Sequence, residues 1–596
     1  MSYQAPLEDV QHILTHITDI DQFISDGLAE ALDSELVSAI LDEAGKFAAD
    51  QLAPLNQVGD QQGCSLKNGN LTTPNGWQEA YTQWKDAGWA ALSAPEEFGG
   101  QNLPHLLSQA VSEFWNSSNL AFGLCPLLTQ GAVDAIADHA NDELKQTYLE
   151  KMVSGEWTGT MNLTEAQAGS DLSTVRTKAT PNGDGTYAIK GTKIFITYGE
   201  HNLTENIIHL VLARLPDAPE GTKGISLFLV PKFILDENGN PGKRNDLICS
   251  GIEHKLGIHA SPTCTMSFGD NEGATGYLVG EENRGLHAMF TMMNLARLSV
   301  GTQGIAIMER SAQAAINYAD DRTQGAALGS PRGTSDPIIK HPDVRRNISL
   351  MKAMTMASRA ICLMTAKYID ISIRAVNEEE KKAAAEKAAL LTPIAKAFST
   401  DCAVEATSIG VQVHGGMGYV EETGAAQHMR DARILPIYEG TNGIQALDLL
   451  FRKISLDGGK TLKSFMKEMS EIQQASNETT ELQNQLGSYL SSALNDLTET
   501  VQFLETEFKA EGNNNPSTLY YAATPILRLL GLCLGGSYLI KGALNAEKAN
   551  EPQAEKQKAL ASIFAHQFLT QTSGLKQQII KGAASLETET NKIFGT

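Results

Sequence analysis

The sequence is short of several features that would settle its class at once. None of its seven cysteines (Cys64, Cys125, Cys249, Cys264, Cys362, Cys402, Cys533) forms a CxxC pair, and their number is odd. That speaks against a disulfide framework and a metal site, and fits a reducing compartment with buried thiols. No GxGxxG follows a strand-like run, so a Rossmann dinucleotide fold has no support. Prolines number 20 in 596 residues, too few for a disordered chain. Basic residues are outnumbered by acidic ones, 47 to 70, for a formal charge of −23. This disfavours nucleic acid and an anionic membrane surface as partners. The N-terminal MSYQAPLEDVQHIL has no basic region and no continuous apolar stretch, and it is poor in arginine. Neither a secretion signal nor a mitochondrial presequence is expected. The most apolar run, PILRLLGLCLGGSYLIKGA at 525–543, is broken by Arg528 and Lys541. It falls short of the ~20 apolar residues of a spanning helix and reads as a buried helix. The expectation is a cytoplasmic chain with no membrane span.

What is present is pattern. At about 150 residues per domain, the length implies three or four domains. Residues 1–158 are mostly of helical periodicity, with Val10, Ile13, Leu14 and Ile17 on one face. The Gly-, Asn- and Pro-containing stretch 51–75 reads as loop. From 159 to 285 short runs such as TYAIKGTKIFIT, NIIHLVLARL, GISLFLVP and TCTMSFG alternate with turn residues. They read as antiparallel strands of a small barrel or sandwich. Helical pattern resumes over 286–455, with long helices expected at 285–324, 341–378 and 381–413. The EEEKK run at 378–382 reads as a solvated helix end or loop. Residues 456–596 form an appended helical segment, with Leu462, Phe465, Met469 and Ile472 on one face. A β unit between helical ones is an α+β arrangement.

The most informative run is RDARILPIYEGTNGIQ, Arg430–Gln445. Glu439 lies between an apolar arm ending in Pro436, Ile437 and Tyr438 and the flexible Gly440-Thr441. Pro436 stiffens the approach, Gly440 permits unusual backbone angles, and Thr441 is placed to cap the next helix. A carboxylate desolvated there gains basicity, as abstraction of a weakly acidic C–H proton requires. Taken alone, the run also describes a surface glutamate in a turn.

Three further runs tip the balance: MNLTEAQAGSD (161–171), KIFITYGE (193–200) and QVHGGMGY (412–419). With RDARILPIYEGTNGIQ they stand in the order of the acyl-CoA dehydrogenases, which the chain resembles over roughly 50–455. The resemblance implies the family fold: an N-terminal helical domain, a middle antiparallel β domain and a C-terminal helical bundle. The segment 456–596 resembles the extra helical domain of longer members. The implied activity is FAD-dependent α,β-dehydrogenation of an acyl-CoA thioester. Glu439 takes the α-proton and the β-hydride passes to flavin N5. Some relatives carry the base on the helix matching FTMMNLARLSVG (290–301), which here has no acid.

The same resemblance assigns the other sites. Met161, Leu163 and Thr164 would face the flavin ring, and Ser170 the pyrophosphate or the substrate's pantetheine arm. Phe195 stands where the family usually has tryptophan against the flavin, and Thr197 faces N5. Arg322 and Gln324, with Gln412, Gly416 and Thr441, resemble residues that reach FAD across a subunit interface. Arg suits a diphosphate because its planar fork donates in pairs. Arg297 and Asn294 resemble the Asp-x-x-Arg pair that holds CoA, with the acid lost, and Tyr438 and Gly440 would line the substrate. Gly443 replaces a customary Gln. An oligomer, a homodimer or a dimer of dimers, follows if FAD spans two chains, and an electron-transfer flavoprotein is the implied acceptor. Ordinary turn and strand chemistry would account for Thr164, Ser170, Phe195 and Thr197 taken singly.

Within the family the likeness narrows to the enzymes acting on 3-methylmercaptopropionyl-CoA in bacterial dimethylsulfoniopropionate breakdown. It is carried by YGEHNLTENIIHLVLARL (198–215), KLGIHASPTC (255–264), the N-terminal run and the C-terminal extension. General fatty acyl-CoA dehydrogenation, an oxidase using oxygen directly, and a DNA-binding or silent interaction protein on this fold remain as rivals.

Overall fold

The computed structural model describes residues 3–455, 457–476, 481–509 and 517–595. Helices occupy the chain from Leu7–His16 to Asp142–Val153. A β layer follows, from Trp157–Asn162 to Ala274–Val279. Three long helices come next, Gly285–Asp321, Pro342–Arg374 and Glu378–His414. Asn377 starts the last of these, its side chain accepting from the Glu379 and Glu380 amides, so the acidic EEE run sits in a first turn that favours negative charge.

The main sheet runs in the order Leu247–Ile252, Thr263–Phe268, Tyr187–Thr197, Ala274–Val279, Ser226–Pro231, Asn206–Ala213, Trp157–Asn162, with Lys178–Pro181 also paired to Tyr187–Thr197. It is mixed rather than wholly antiparallel. Trp157–Asn162 lies parallel to Asn206–Ala213, in register Thr160↔His209. The chain between them makes a long excursion through the MNLTEAQAGSD loop and two strands, which is what a parallel pair requires and a hairpin cannot provide. Asn206–Ala213 is buried along its whole length. Ile208, Leu210 and Leu212 join Leu128, Ala132, Met289 and Met292 of the flanking helices, while Val211 and Ala213 face the sheet's inner core. The β layer therefore rests on Leu120–His139 and the start of Gly285–Asp321.

The stretch 51–75 is more ordered than its composition indicates. Ala53–Gln62 is helical, because Pro54 falls in the first turn, where no amide donor is needed. Ser65–Lys67 and Asn70–Thr72 then form a hairpin whose turn residues Asn68 and Gly69 both have positive φ (53° and 74°).

The appended helices pack onto the rest. In Ser517–Lys548, a β-carbon at Gly531 would lie 2.4 Å from Phe398 Cδ2, so only glycine permits the close crossing. Lys541 Nζ donates to Ile17 O at 2.7 Å and Lys556 Nζ to Asp9 Oδ1 at 2.7 Å, tying this segment to the N-terminus. Leu462, Phe465 and Met469 are buried as their spacing implies. Leu120–His139 and Ser517–Lys548 are long and apolar enough to cross a membrane, but 72% and 83% of their most apolar windows are buried in the fold. At the bundle's centre Arg359 meets Glu113 at 2.6 Å and Glu309 at 3.1 Å. Lys352 bridges Glu309 and Asp9, each at 3.0 Å.

Candidate active site

Glu439 sits in a tight turn before the helix Asn442–Asp448, with φ +54° at Glu439 and +83° at Gly440. Gly440 adopts a left-handed conformation freely, but the same conformation strains the non-glycine Glu439 and persists only where the surroundings impose it. Here they do. Gln445 Nε2 donates to Glu439 O at 3.3 Å and to Gly440 O at 3.2 Å. Lys396 Nζ donates to Gly440 O at 3.0 Å, and the Asn442 amide closes on Pro436 O at 3.0 Å. A β-carbon at 440 would lie 2.6 Å from Gln445 Nε2, so glycine is needed for space as well as for φ. Thr441 occupies the N-cap position, but its side chain makes no capping bond. The helix start is held by backbone contacts and Asn442 instead. Tyr438 is anchored by its hydroxyl to Gln303 Oε1.

Glu439 lines a cavity of about 170 Å³. Around it the structure gathers Met161, Leu163, Thr164, Ser170, Phe195, Thr197, Arg297 and Gly440. Leu128, Met293 and Ile444 also line it, none of them a candidate site residue from the sequence. Burial raises the proton affinity of Glu439, and the cations of Arg297 and Lys396 pull it part of the way back. The net result is a carboxyl above its ordinary range.

The cavity's β wall is built by an irregularity. Strand Tyr187–Thr197 pairs with Thr263–Phe268 through Ile196↔Cys264 and Lys193↔Met266, so two residues, Ile194 and Phe195, face one. Phe195 takes φ +60° and is 58% exposed. A large aromatic forced out of the core by a bulge is available for a ligand. Lys193, one of the residues turned inward, donates to Leu163 O (3.0 Å) and Glu165 Oε1 (2.8 Å). Glu165 also accepts from Thr177 and from the Arg176 amide, so the MNLTEAQAGSD loop is fastened from beneath. The Leu163 and Thr164 carbonyls are bonded within the protein, to Lys193 and to the Ile194 amide.

Arg297 is buried and pairs with Asp448 at 3.7 Å. Asn294 is exposed one turn earlier and does not line the cavity. The carboxylate that Asn294 lacks is thus supplied to Arg297 by Asp448, from the helix after Glu439. Arg322, Gln324, Gln412 and Gly416 are all exposed and lie outside the cavity. Arg322 reaches Gln324 Oε1 at 3.4 Å. Lys396 and Asp448 escaped the sequence reading, and Gln445, the last residue of the RDARILPIYEGTNGIQ run, has no role in it. A lone lysine inside AALLTPIAKAFST was the one available signal.

The chain matches four family profiles in order: the acyl-CoA dehydrogenase N-terminal domain at 34–156, the middle domain at 160–271, the C-terminal domain at 283–453, and an acetyl-CoA dehydrogenase C-terminal-like domain at 465–588. It is 45% identical to a 3-methylmercaptopropionyl-CoA dehydrogenase of Ruegeria pomeroyi, over 99% of this chain and 100% of that one. It is 31% identical to the broad-specificity linear acyl-CoA dehydrogenase FadE5 of Mycobacterium tuberculosis, over 97% of each. Among solved structures, Caenorhabditis elegans ACDH-11 in complex with C11-CoA superposes with a TM-score of 0.78 at 20% identity, covering 97% of this chain and 95% of that one. An acyl-CoA dehydrogenase from Bacillus anthracis complexed with FAD gives 0.74 at 21%, covering 93% and 90%. These last two speak for the fold alone. The profile matches and the full-length relative show that the chain belongs to the acyl-CoA dehydrogenase family of FAD-dependent oxidoreductases.

Proposed function

We propose that this enzyme dehydrogenates 3-methylmercaptopropionyl-CoA to 3-methylthioacryloyl-CoA, with Glu439 as the base. The observation that carries the chemistry is a desolvated carboxyl on an imposed turn that lines a cavity with Phe195, Thr197 and Arg297. The full-length likeness to the Ruegeria enzyme supports the acyl group.

The residues present fit a flavin. Phe195 is held out of the core by its bulge, and Thr164 and Thr197 line the same cavity. Met161, Leu163, Thr164, Ser170, Phe195 and Thr197 would hold FAD in one subunit. Exposed Arg322, Gln324, Gln412 and Gly416, with Thr441, would reach it from another, in a homodimer or dimer of dimers. When bound, the flavin supplies the acceptor for the two electrons that leave with the β-hydrogen.

Glu439 takes the α-proton. Its elevated proton affinity makes it a better base, and Arg297 and Lys396 keep it from holding a proton too tightly to serve near neutral pH. The Glu439 backbone N–H is proposed to donate to the thioester oxygen as enolate charge develops. Arg297, with Asn294 nearby, and Tyr438 would steady the CoA arm and the turn. An electron-transfer flavoprotein in the cytoplasm is the proposed acceptor.

The test is anaerobic mixing of the FAD-loaded enzyme with 3-methylmercaptopropionyl-CoA or butyryl-CoA, followed by flavin absorbance. Both should bleach the flavin. A thioether and a methylene chain are of similar shape and polarity, so pocket fit separates them by about 1–3 kcal/mol at most. Faster bleaching by butyryl-CoA would favour general fatty acyl-CoA dehydrogenation, and no bleaching by either would refute the substrate class.

A further inference from the structure

The helix Glu378–His414 places one ammonium where packing alone would call for a hydrocarbon. Lys396 is fully buried beside Leu390, Leu391, Ile394 and Phe398. Its Nζ donates to Gly440 O at 3.0 Å and to Asn442 Oδ1 at 2.8 Å. It therefore grips both sides of the turn that follows Glu439. Asn442 is itself fixed to the same helix, donating to Thr400 Oγ1 at 2.9 Å and to Asp401 Oδ1 at 2.7 Å. Burying an ammonium costs several kcal/mol, and an apolar side chain of equal volume is often as stable or more so. A gain outside folding would explain why the charge is there.

We propose that Lys396 is a positioning residue for α-proton abstraction: its buried ammonium pins the left-handed Glu439–Gly440 turn and helps hold Glu439 ionised. The proposal rests on the reading of Glu439 as the base. Three charged groups act on Lys396: Glu439 from the turn, Asp401 from its own helix and Arg297 from Gly285–Asp321. Glu439 in turn feels Arg297 and Lys396, and Arg297 also feels Asp448 and Arg452 from the helix beyond. Burial pushes the ammonium's pKa down to about 7, against the pull of Glu439 and Asp401. The proton is thus held below about pH 7 and shed above it. Below that point Glu439 faces two cations. With position 396 neutral it faces Arg297 alone, takes up its proton more readily, and the acidic limb of the rate profile moves to higher pH.

The experiment measures kcat and kcat/KM against pH for the FAD-loaded wild type, Lys396→Met, Lys396→Gln and Lys396→Arg, with thermal unfolding alongside. Met and Gln should lower kcat about 10–100-fold, the scale of a misplaced catalytic group, and leave KM near its wild-type value. Both should move the acidic limb of kcat to higher pH, and Arg should bring the limb back toward wild type. Asn442→Leu removes one of the ammonium's acceptors without touching the charge, and should move the limb the same way by less. It carries the test if the Lys396 variants do not fold. An unchanged limb, with or without loss of kcat, overturns the proposal, because a purely structural lysine would leave it in place. A wild-type enzyme that does not dehydrogenate acyl-CoA would instead overturn the reading on which the proposal rests.

Discussion

Two buried charged regions of this chain use the same ingredients to opposite ends. Around Arg359 the charges satisfy one another. The guanidinium meets Glu113 through Nε and Nη2 at 2.6–3.2 Å and Glu309 at 3.1 Å, while Lys352 closes on Glu309 and Asp9. Around Glu439 they do not. Arg297 and Asp448 stand 3.7 Å apart, and Arg297 Nε, Asp448 Oδ2 and Gln445 Oε1 make no hydrogen bond. Positive φ angles gather at the second region as well, at Phe195, Glu439 and Gly440. A closed network is a strut, whereas unspent hydrogen-bonding capacity beside imposed backbone strain marks a place built to receive something.

The comparison can be broken first on its structural side. Arg359→Met would strand the buried carboxylate of Glu113 and leave Glu309 with Lys352 alone, and should cost about 3–5 kcal/mol in denaturant unfolding. A loss under about 1 kcal/mol would show that the network is not the strut described. On the functional side, Glu439→Gln should stabilise the fold at neutral pH. The folded carboxyl holds its proton more tightly than the unfolded one, so its contribution is full below the unfolded pKa and is lost as pH rises through the folded one. The advantage of Gln should therefore shrink toward about pH 4, where even the unfolded carboxyl is protonated. Melting curves between pH 4 and 8 check this, and a neutral-pH melting point below wild type would count against it. The smallest stability effect belongs to Phe195→Ala. An exposed ring should change unfolding free energy by no more than about 0.5 kcal/mol, yet flavin retention through gel filtration should fall. Full retention would remove Phe195 from the flavin wall.

How much of this was legible in the sequence depends on distance along the chain. Met161, Leu163, Thr164, Phe195, Thr197, Glu439 and Gly440 lie in short runs, and the structure brings them to one cavity. Lys396, Asp448 and Gln445 support Glu439 from helices, and helical periodicity marks only which face is buried, not which buried polar group meets a distant turn. Nor could strand content alone reveal the parallel pairing of Trp157–Asn162 with Asn206–Ala213, because direction depends on the connection rather than on the strand. The helix after Pro54 and the Asn68-Gly69 hairpin were hidden by a composition that loops share. Asn294 shows the opposite hazard: the position looked deficient, and Asp448 supplies its charge from elsewhere.

The account stands most directly on single-turnover flavin reduction by 3-methylmercaptopropionyl-CoA in wild type and Glu439→Gln. Loss of the general base should slow bleaching by about 10²–10⁴-fold while the flavin remains bound. Bleaching at the wild-type rate in Glu439→Gln would contradict the assignment of the strained turn to proton abstraction.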